Sequence, residues 1–118
     1  MKFKIITLDY DEVFSNADNF REYLNNLNEI YKLKTKKIIK SIYIRISSRG
    51  NGIHIKLELY KPITFLKLLK YRVMLNDDVN RIRMDILRYS KNEVNRLWDA
   101  KMDLKSNKIY KASKWIRL

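Results

Sequence analysis

The chain contains no cysteine, one proline, two glycines and one histidine in 118 residues. Without cysteine there is no disulfide, no zinc ribbon and no thiol nucleophile, and the composition fits an intracellular protein. A single histidine excludes metal sites built on two histidines and the His-hydrophobic-His centre of nicking enzymes. Long apolar runs are also lacking. The longest, Ile63 to Leu75, is broken by Lys67, Lys70 and Arg72 and is too short to cross a bilayer. The start, MKFKIITLDYDE, turns acidic early and has neither the apolar core nor the cleavage site of a signal peptide. No repeat, linker or low-complexity segment divides the chain, so one domain is expected over residues 1–118. A domain of this size buries roughly two-thirds of its unfolded surface.

Positive charge is what the chain has in excess. Lysine and arginine number 26 against 13 acidic residues, a formal net charge of +13. A domain this basic is expected to have a polyanionic partner, although basicity also serves solubility. Aromatics interleaved with the charge favour nucleic acid, DNA or RNA, over solubility alone. No predicted helix sets a basic face against a clean apolar one, so a membrane partner is not expected.

Lys2 to Asp9 reads as a strand. Ser15 suits a helix N-cap with Asp18 three residues on. Ala17, Phe20, Leu24, Leu27 and Tyr31 then form the inner stripe of an amphipathic helix. Thr35 to Ser47 and Ile53 to Tyr60 alternate as strands. Ile42, Ile44 and Ile46 share one face of the first; Ile53, Ile55, Leu57 and Leu59 share one face of the second. Pro62 suits the first turn of a helix running to Leu75, apolar on most sides and so either well buried or the contact of a homodimer. Another helix starts at Asn76 or Asp77, turns Val79, Ile82, Ile86 and Tyr89 inward, and ends near Ser90 to Asn92. Val94 to Met102 and Ile109 to Leu118 read as strands joined by a turn at Leu104 to Lys108. The order β-α-β-β-α-α-β-β predicts an α+β fold. It would be a two-layer sandwich with helices on one face of a largely antiparallel sheet, ferredoxin-like or RNA-recognition-like.

The run Ile38 to Tyr60, IIKSIYIRISSRGNGIHIKLELY, carries most of the functional signal. Both glycines lie in its turn, Ser48-Arg49-Gly50-Asn51-Gly52, and the only histidine, His54, follows. Away from the core the hairpin presents Tyr43, Arg45, Ser47, His54, Lys56 and Glu58. Basic groups attract phosphates and aromatics stack on bases, so this face is a candidate surface for single strands. The turn can cradle a phosphate through backbone N–H groups and Arg49, or serve only as a hairpin turn. His54 reads equally as an exposed strand residue facing solvent. In the last strand Trp115 lies between Lys111 and Arg117, a base-stacking platform if it faces outward and a core residue if the register slips by one. Trp98 reads as inward.

Asp9 and Asp11 end the first strand two residues apart. They share a face and can give two oxygen ligands to Mg²⁺ or Mn²⁺, although an acidic strand end is more often only that. Asp99 is a candidate third carboxylate, with nothing in the spacing to choose it over Asp85 or Asp78. Arg81 and Asp85 form an i,i+4 pair with Arg88 one turn on, a pattern read first as a solvated ion-paired face.

Asp9-Tyr10-Asp11, Ser47 to His54 (SSRGNGIH) and Leu97-Trp98-Asp99 resemble, in order, the three motifs of archaeo-eukaryotic primases. Those motifs are an h-D-h-D strand, a Ser/Gly-rich turn ending in His, and an h-D strand. The resemblance implies that Asp9, Asp11 and Asp99 bind catalytic metals and that His54 with Arg49 holds the nucleotide triphosphate. This chain is shorter than that family's usual catalytic core. Asn76 to Arg88 (NDDVNRIRMDILR) is also similar to a segment of small uncharacterised proteins of archaeal viruses and plasmids, which implies a host-cytoplasmic location and no particular activity. The functions expected, in order, are single-strand nucleic-acid binding in viral or plasmid replication, primase-like metal-dependent nucleotidyl transfer, and a structural or interaction role as a dimer.

Overall fold

Alternation in the first strand sets the core. In strand β1 (Lys2–Tyr10) the side chains of Ile6, Leu8 and Tyr10 are buried on one face. The structure is a computed structural model that describes residues 1–91, 93–97, 100–103 and 108–118, with the backbone alone for 100–103 and 108–110. It is an α+β fold of four antiparallel sheet strands, a separate two-stranded ribbon and three helices. None of the helices described is long and apolar enough to cross a membrane.

Helix α1 (Ala17–Thr35) is capped by Asn16, not Ser15, and the Asn16 side chain accepts from the Asn19 N–H at 2.8 Å. Its buried stripe is Tyr23, Asn26, Ile30 and Leu33, with Leu27 partly buried. Phe20, Leu24 and Tyr31, expected inside, are exposed. The apolar arc is wider than the sheet can cover, and two contacts choose the side. The Tyr23 ring meets Tyr10 edge-on, and Asn26 accepts from Asn76 Nδ2 at 2.7 Å. The helix also claims Thr35, so strand β2 (Ile39–Ile46) starts later than the alternation predicts.

Strand β3 (Ile53–Thr64) pairs antiparallel with β2 and β1. Ile42 faces Leu57 and Ile44 faces Ile55 across one ladder; Ile6 faces Leu57 and Leu8 faces Ile55 across the other. The apolar side chains of all three strands therefore meet on one face. Pro62 lies in β3, not in a helix. The Tyr60 N–H donates to Ile38 O, so position 62, two residues on, turns its nitrogen to the same side but past the start of β2. A proline costs no ladder bond there.

Helices α2 (Phe65–Met74, capped by Thr64) and α3 (Val79–Arg88, capped by Asp78) follow, then a 3₁₀ turn at Tyr89–Lys91. Strands β4 (Ala100–Asp103) and β5 (Lys108–Lys111) form the ribbon, and β6 (Ile116–Arg117) joins the main sheet in the order β1-β3-β2-β6. The long strands expected at 94–102 and 109–118 are thus shorter, and the second is two pieces. The turn expected at 104–108 lies largely outside the described residues.

The inner side of α3 is Ile82 and Asp85, while Val79, Ile86 and Tyr89 are exposed. Arg72 of α2 explains the rotation. It is fully buried, and a buried guanidinium needs carboxylates. Arg72 Nε donates to Asp77 Oδ2 at 2.7 Å and Nη1 to Asp85 Oδ2 at 2.5 Å. Arg81 pairs with Asp77 at 2.8 Å, not with Asp85, so the ion-paired face is an interior network.

That network also seals the free edge of β1. The Asp9 N–H donates to Asp77 Oδ1, Arg81 Nη1 donates to Thr7 O, and Asn95 accepts from the Thr7 N–H while donating to Ile5 O. Side chains occupy the groups another strand would need. The last strand accordingly docks on β2.

Candidate functional site

Three carboxylates converge where β1 ends. Oxygen atoms of Asp9, Asp11 and Asp78 all lie within 4.8 Å of one another. Asp9 is the last residue but one of β1, Asp11 lies in the following turn, and Asp78 arrives as the N-cap of α3 because α2 runs back along β1. The Tyr10 hydroxyl fixes that return by donating to Leu75 O at 2.6 Å, and burial raises its pKa well above the usual phenol range. Asp78 uses Oδ1 to cap the Asn80 and Arg81 N–H groups. Two cavities meet at Asp9 and Asp78. One of about 330 Å³ is lined also by Asp11, Glu22 and Asn26, and one of about 820 Å³ also by Arg81, Arg88 and Arg96.

Burial, first, and then the charges of Asp11, Asp77 and Asp78 push the Asp9 carboxyl up from 3.8 to about 7, with Arg81 opposing them. Asp9 Oδ1 is buried and has no hydrogen-bond partner among the described residues. Its neighbour is His54 Nε2 at 3.6 Å. A divalent cation would relieve both the crowded negative charge and the unpaired oxygen, and an all-carboxylate donor set suits Mg²⁺ or Mn²⁺. The residues present therefore fit such an ion.

A row of polar side chains crosses the sheet from this cluster. Asp9, His54 and Arg45 are cross-strand neighbours in β1, β3 and β2. Arg45 Nε donates to His54 Nδ1 at 3.0 Å. A guanidinium can only donate, so Nδ1 is the unprotonated nitrogen and the ring proton is on Nε2, towards Asp9. The expectation of an exposed His54 is corrected: His54 is 5% and Arg45 6% exposed. Trp115 is half-buried over Arg45 at 4.3 Å and Lys56 at 4.5 Å, on the polar face and not in the core. Lys56 also stands 5.1 Å over the ring of Tyr43. Arg117 donates to Ser41 Oγ, while Arg49 and Lys111 are exposed.

The structure thus brings Asp9, Asp11 and His54 together, and separately Tyr43, Arg45, Lys56 and Trp115. Trp98 and Asp99 lie outside the described residues. Asp78 was only one of three carboxylates the spacing left open. Its placement depends on how α2 docks, which no local pattern encodes.

The turn holds the cluster in place. Gly50 has a φ of +77°, and a Cβ on Gly52 would lie 2.6 Å from Tyr10 O and 3.4 Å from Asp11 Cα. The Phe14 N–H donates to Asn51 O, so turn and acidic strand end form one packed unit. Comparison with known protein families, curated proteins and solved structures gives no match.

Proposed function

We propose that this protein binds nucleic acid and performs metal-dependent nucleotidyl transfer, with Asp9, Asp11 and Asp78 as the ligands of a Mg²⁺ or Mn²⁺ ion. What carries the reading is the convergence of these carboxylates within 4.8 Å beside a histidine, in a chain of net charge +13. The ion would neutralise phosphate charge and make a hydroxyl a better nucleophile. His54 would orient Asp9 through Nε2–H, held in that tautomer by Arg45. Arg49, exposed on the adjoining turn, would meet phosphate. The resemblance to archaeo-eukaryotic primases supports the same assignment, with Asp99 as a further ligand, and a viral or plasmid replication role belongs with it. So does a two-layer, ferredoxin-like reading of the fold, which rests on the strand order β1-β3-β2; the fourth strand adjoins β2. The test is thermal unfolding across a Mn²⁺ series. The parent is expected to gain stability and Asp9→Asn to gain none. A parent indifferent to saturating metal sinks the proposal.

A second reading is single-strand binding without catalysis. The cluster of Trp115, Tyr43 and Lys56 favours it, with Lys111 and Arg117 nearby on the last strands. Buried Arg45 and His54 would then be scaffold, not contacts. Tyr43→Ala is expected to weaken single-strand binding with little change in salt slope. The exposed Leu66, Val73 and Met74 of α2 are where a homodimer would form.

A further inference from the structure

We infer that the nucleic-acid backbone is gripped by a lysine surface at the opposite end of the sheet from the carboxylates, centred on Lys36, Lys37 and Lys61; this rests on nucleic acid being the partner. The segment IYKLKTKKIIK (residues 30–40) carries five lysines and no acidic residue. It covers the end of α1, the turn into β2 and the first residues of β2. The Tyr60 N–H donates to Ile38 O, which brings Tyr60 and Lys61 of β3 beside that turn. Lys36, Lys37 and Lys61 are exposed, as is Tyr60 at 50%, and none of the three lysines has a carboxylate partner among the described residues. Elsewhere in the segment Lys32 pairs with Glu29 and Lys40 stands 3.9 Å from Glu58.

A second observation is independent of charge. Helix α1 ends in a Schellman motif: the Ile38 N–H donates to Leu33 O and the Lys37 N–H to Lys34 O. The residue after the cap in this motif is left-handed and is usually glycine, sometimes asparagine. Here it is Lys37, at φ +58°. A long side chain in a left-handed conformation is unfavourable, and its ammonium has no hydrogen bond among the described residues to offset it. A residue kept where a better one is available for folding points to use elsewhere. Its neighbours fix the class of ligand. Leu33 and Ile39, interleaved with the lysines, are both turned into the core, so the surface offers charge and the exposed phenol rings of Tyr31 and Tyr60 but no apolar wedge for a bilayer. Point charges around an aromatic fit a phosphodiester backbone with an unstacked base.

The experiment is fluorescence anisotropy of the full chain with a labelled 20-nucleotide single strand and a duplex over a salt series, beside sedimentation with phosphatidylserine vesicles. Parent, Lys36→Gln/Lys37→Gln/Lys61→Gln and a variant of an exposed arginine of α3, Arg83→Gln, are compared. The triple variant is expected to lose about tenfold or more in affinity and about two from the slope of log K against log salt, since each phosphate contact on a single strand contributes about 0.7. Arg83→Gln is expected to change affinity less, and all three proteins to show the same Mn²⁺-dependent thermal shift, which reports the carboxylates at the other end of the sheet. Full affinity in the triple variant overturns the surface while leaving the nucleic-acid reading intact. A parent that binds neither strand nor duplex overturns both, as does binding to vesicles alone. A Lys→Arg triple variant that restores binding excludes a folding defect.

Discussion

The two ends of the sheet end a helix in the same way and fill the motif differently. At the carboxylate end, α2 closes with the Asp77 N–H on Arg72 O and the Asn76 N–H on Val73 O, and Asn76 takes φ +58°. Asparagine is at home there, and its side chain donates to Asn26 at 2.7 Å. At the lysine end the same backbone carries Lys37, whose ammonium makes no bond among the described residues. Charges follow the same division. Asp77, Arg72 and Asp85 are buried against each other, whereas Lys36, Lys37 and Lys61 are exposed. One end uses charge to hold the chain together and to crowd three carboxylates. The other holds charge out to solvent. The strand between them spans nine residues, about 26 Å.

The largest effect is expected from breaking the interior network. Arg72→Met leaves Asp77 and Asp85 buried without their shared cation, and such uncompensated charge costs about 3–5 kcal/mol. Urea denaturation should show a loss of that order, with Arg81 holding only Asp77. A loss under about 1 kcal/mol would mean that the network is incidental. Next comes Gly52→Ala. Its Cβ would lie 2.6 Å from a backbone oxygen, so the turn must part from the acidic strand end. Overpacking of this kind costs about 1–3 kcal/mol, and the Mn²⁺ shift should weaken with it. An unchanged Mn²⁺ response would show that the turn does not position Asp11.

A third prediction uses pH. The Asp9 carboxyl has a folded pKa of about 7 against an ordinary 3.8. As pH rises from about 4 to about 7 the unfolded chain releases this proton while the folded protein keeps it, so folding weakens through that window and levels off above it. Asp9→Asn removes that loss. Without metal, the variant should be more stable than the parent at pH 8 and little different at pH 4. Saturating Mn²⁺ at pH 8 should reverse the order. A parent–variant difference that is flat with pH would contradict the crowding of Asp9.

The sheet was legible because alternation is a local property. Ile42 and Ile44, with Ile53, Ile55, Leu57 and Leu59, read onto the core face directly, whereas Ile46 at the end of β2 is exposed, and Asp9 and Asp11 read as neighbours. What failed to read was tertiary choice. Spacing in α1 allows either Phe20-Leu24-Tyr31 or Tyr23-Leu27-Ile30 to face inward, and only Tyr10 and Asn76, far along the chain, decide between them. In α3 hydrophobicity chose Val79 and Ile86, but the buried Arg72 drew Asp85 inside instead. Pro62 was read by its helix preference, whereas its place depended on where β2 begins. The carboxylate Asp78 joins the site through the same docking of α2 that no short pattern records. The lysine surface was written in residues 32–40 all along, yet it has meaning only once Tyr60 and Lys61 are known to lie beside it.

The smallest effect separates the two helix ends most sharply, because it should differ in sign. Glycine adopts a left-handed conformation without the Cβ clash that other residues suffer. At position 37 nothing offsets that clash, so Lys37→Gly should stabilise the protein, by about 0.5–1 kcal/mol, even as it removes a charge from the surface proposed to meet nucleic acid. At position 76 the same change also deletes the bond to Asn26, whose partly buried acceptor would be left unpaired. Asn76→Gly should therefore be neutral or destabilising, by up to about 1 kcal/mol. Both midpoints come from the same denaturation series, and double-variant additivity is expected because the sites lie at opposite ends of the sheet. If Lys37→Gly also destabilises, its side chain is contributing to the fold. Position 37 would then have been filled for stability, as position 76 is, and the contrast between the two ends would lose its footing.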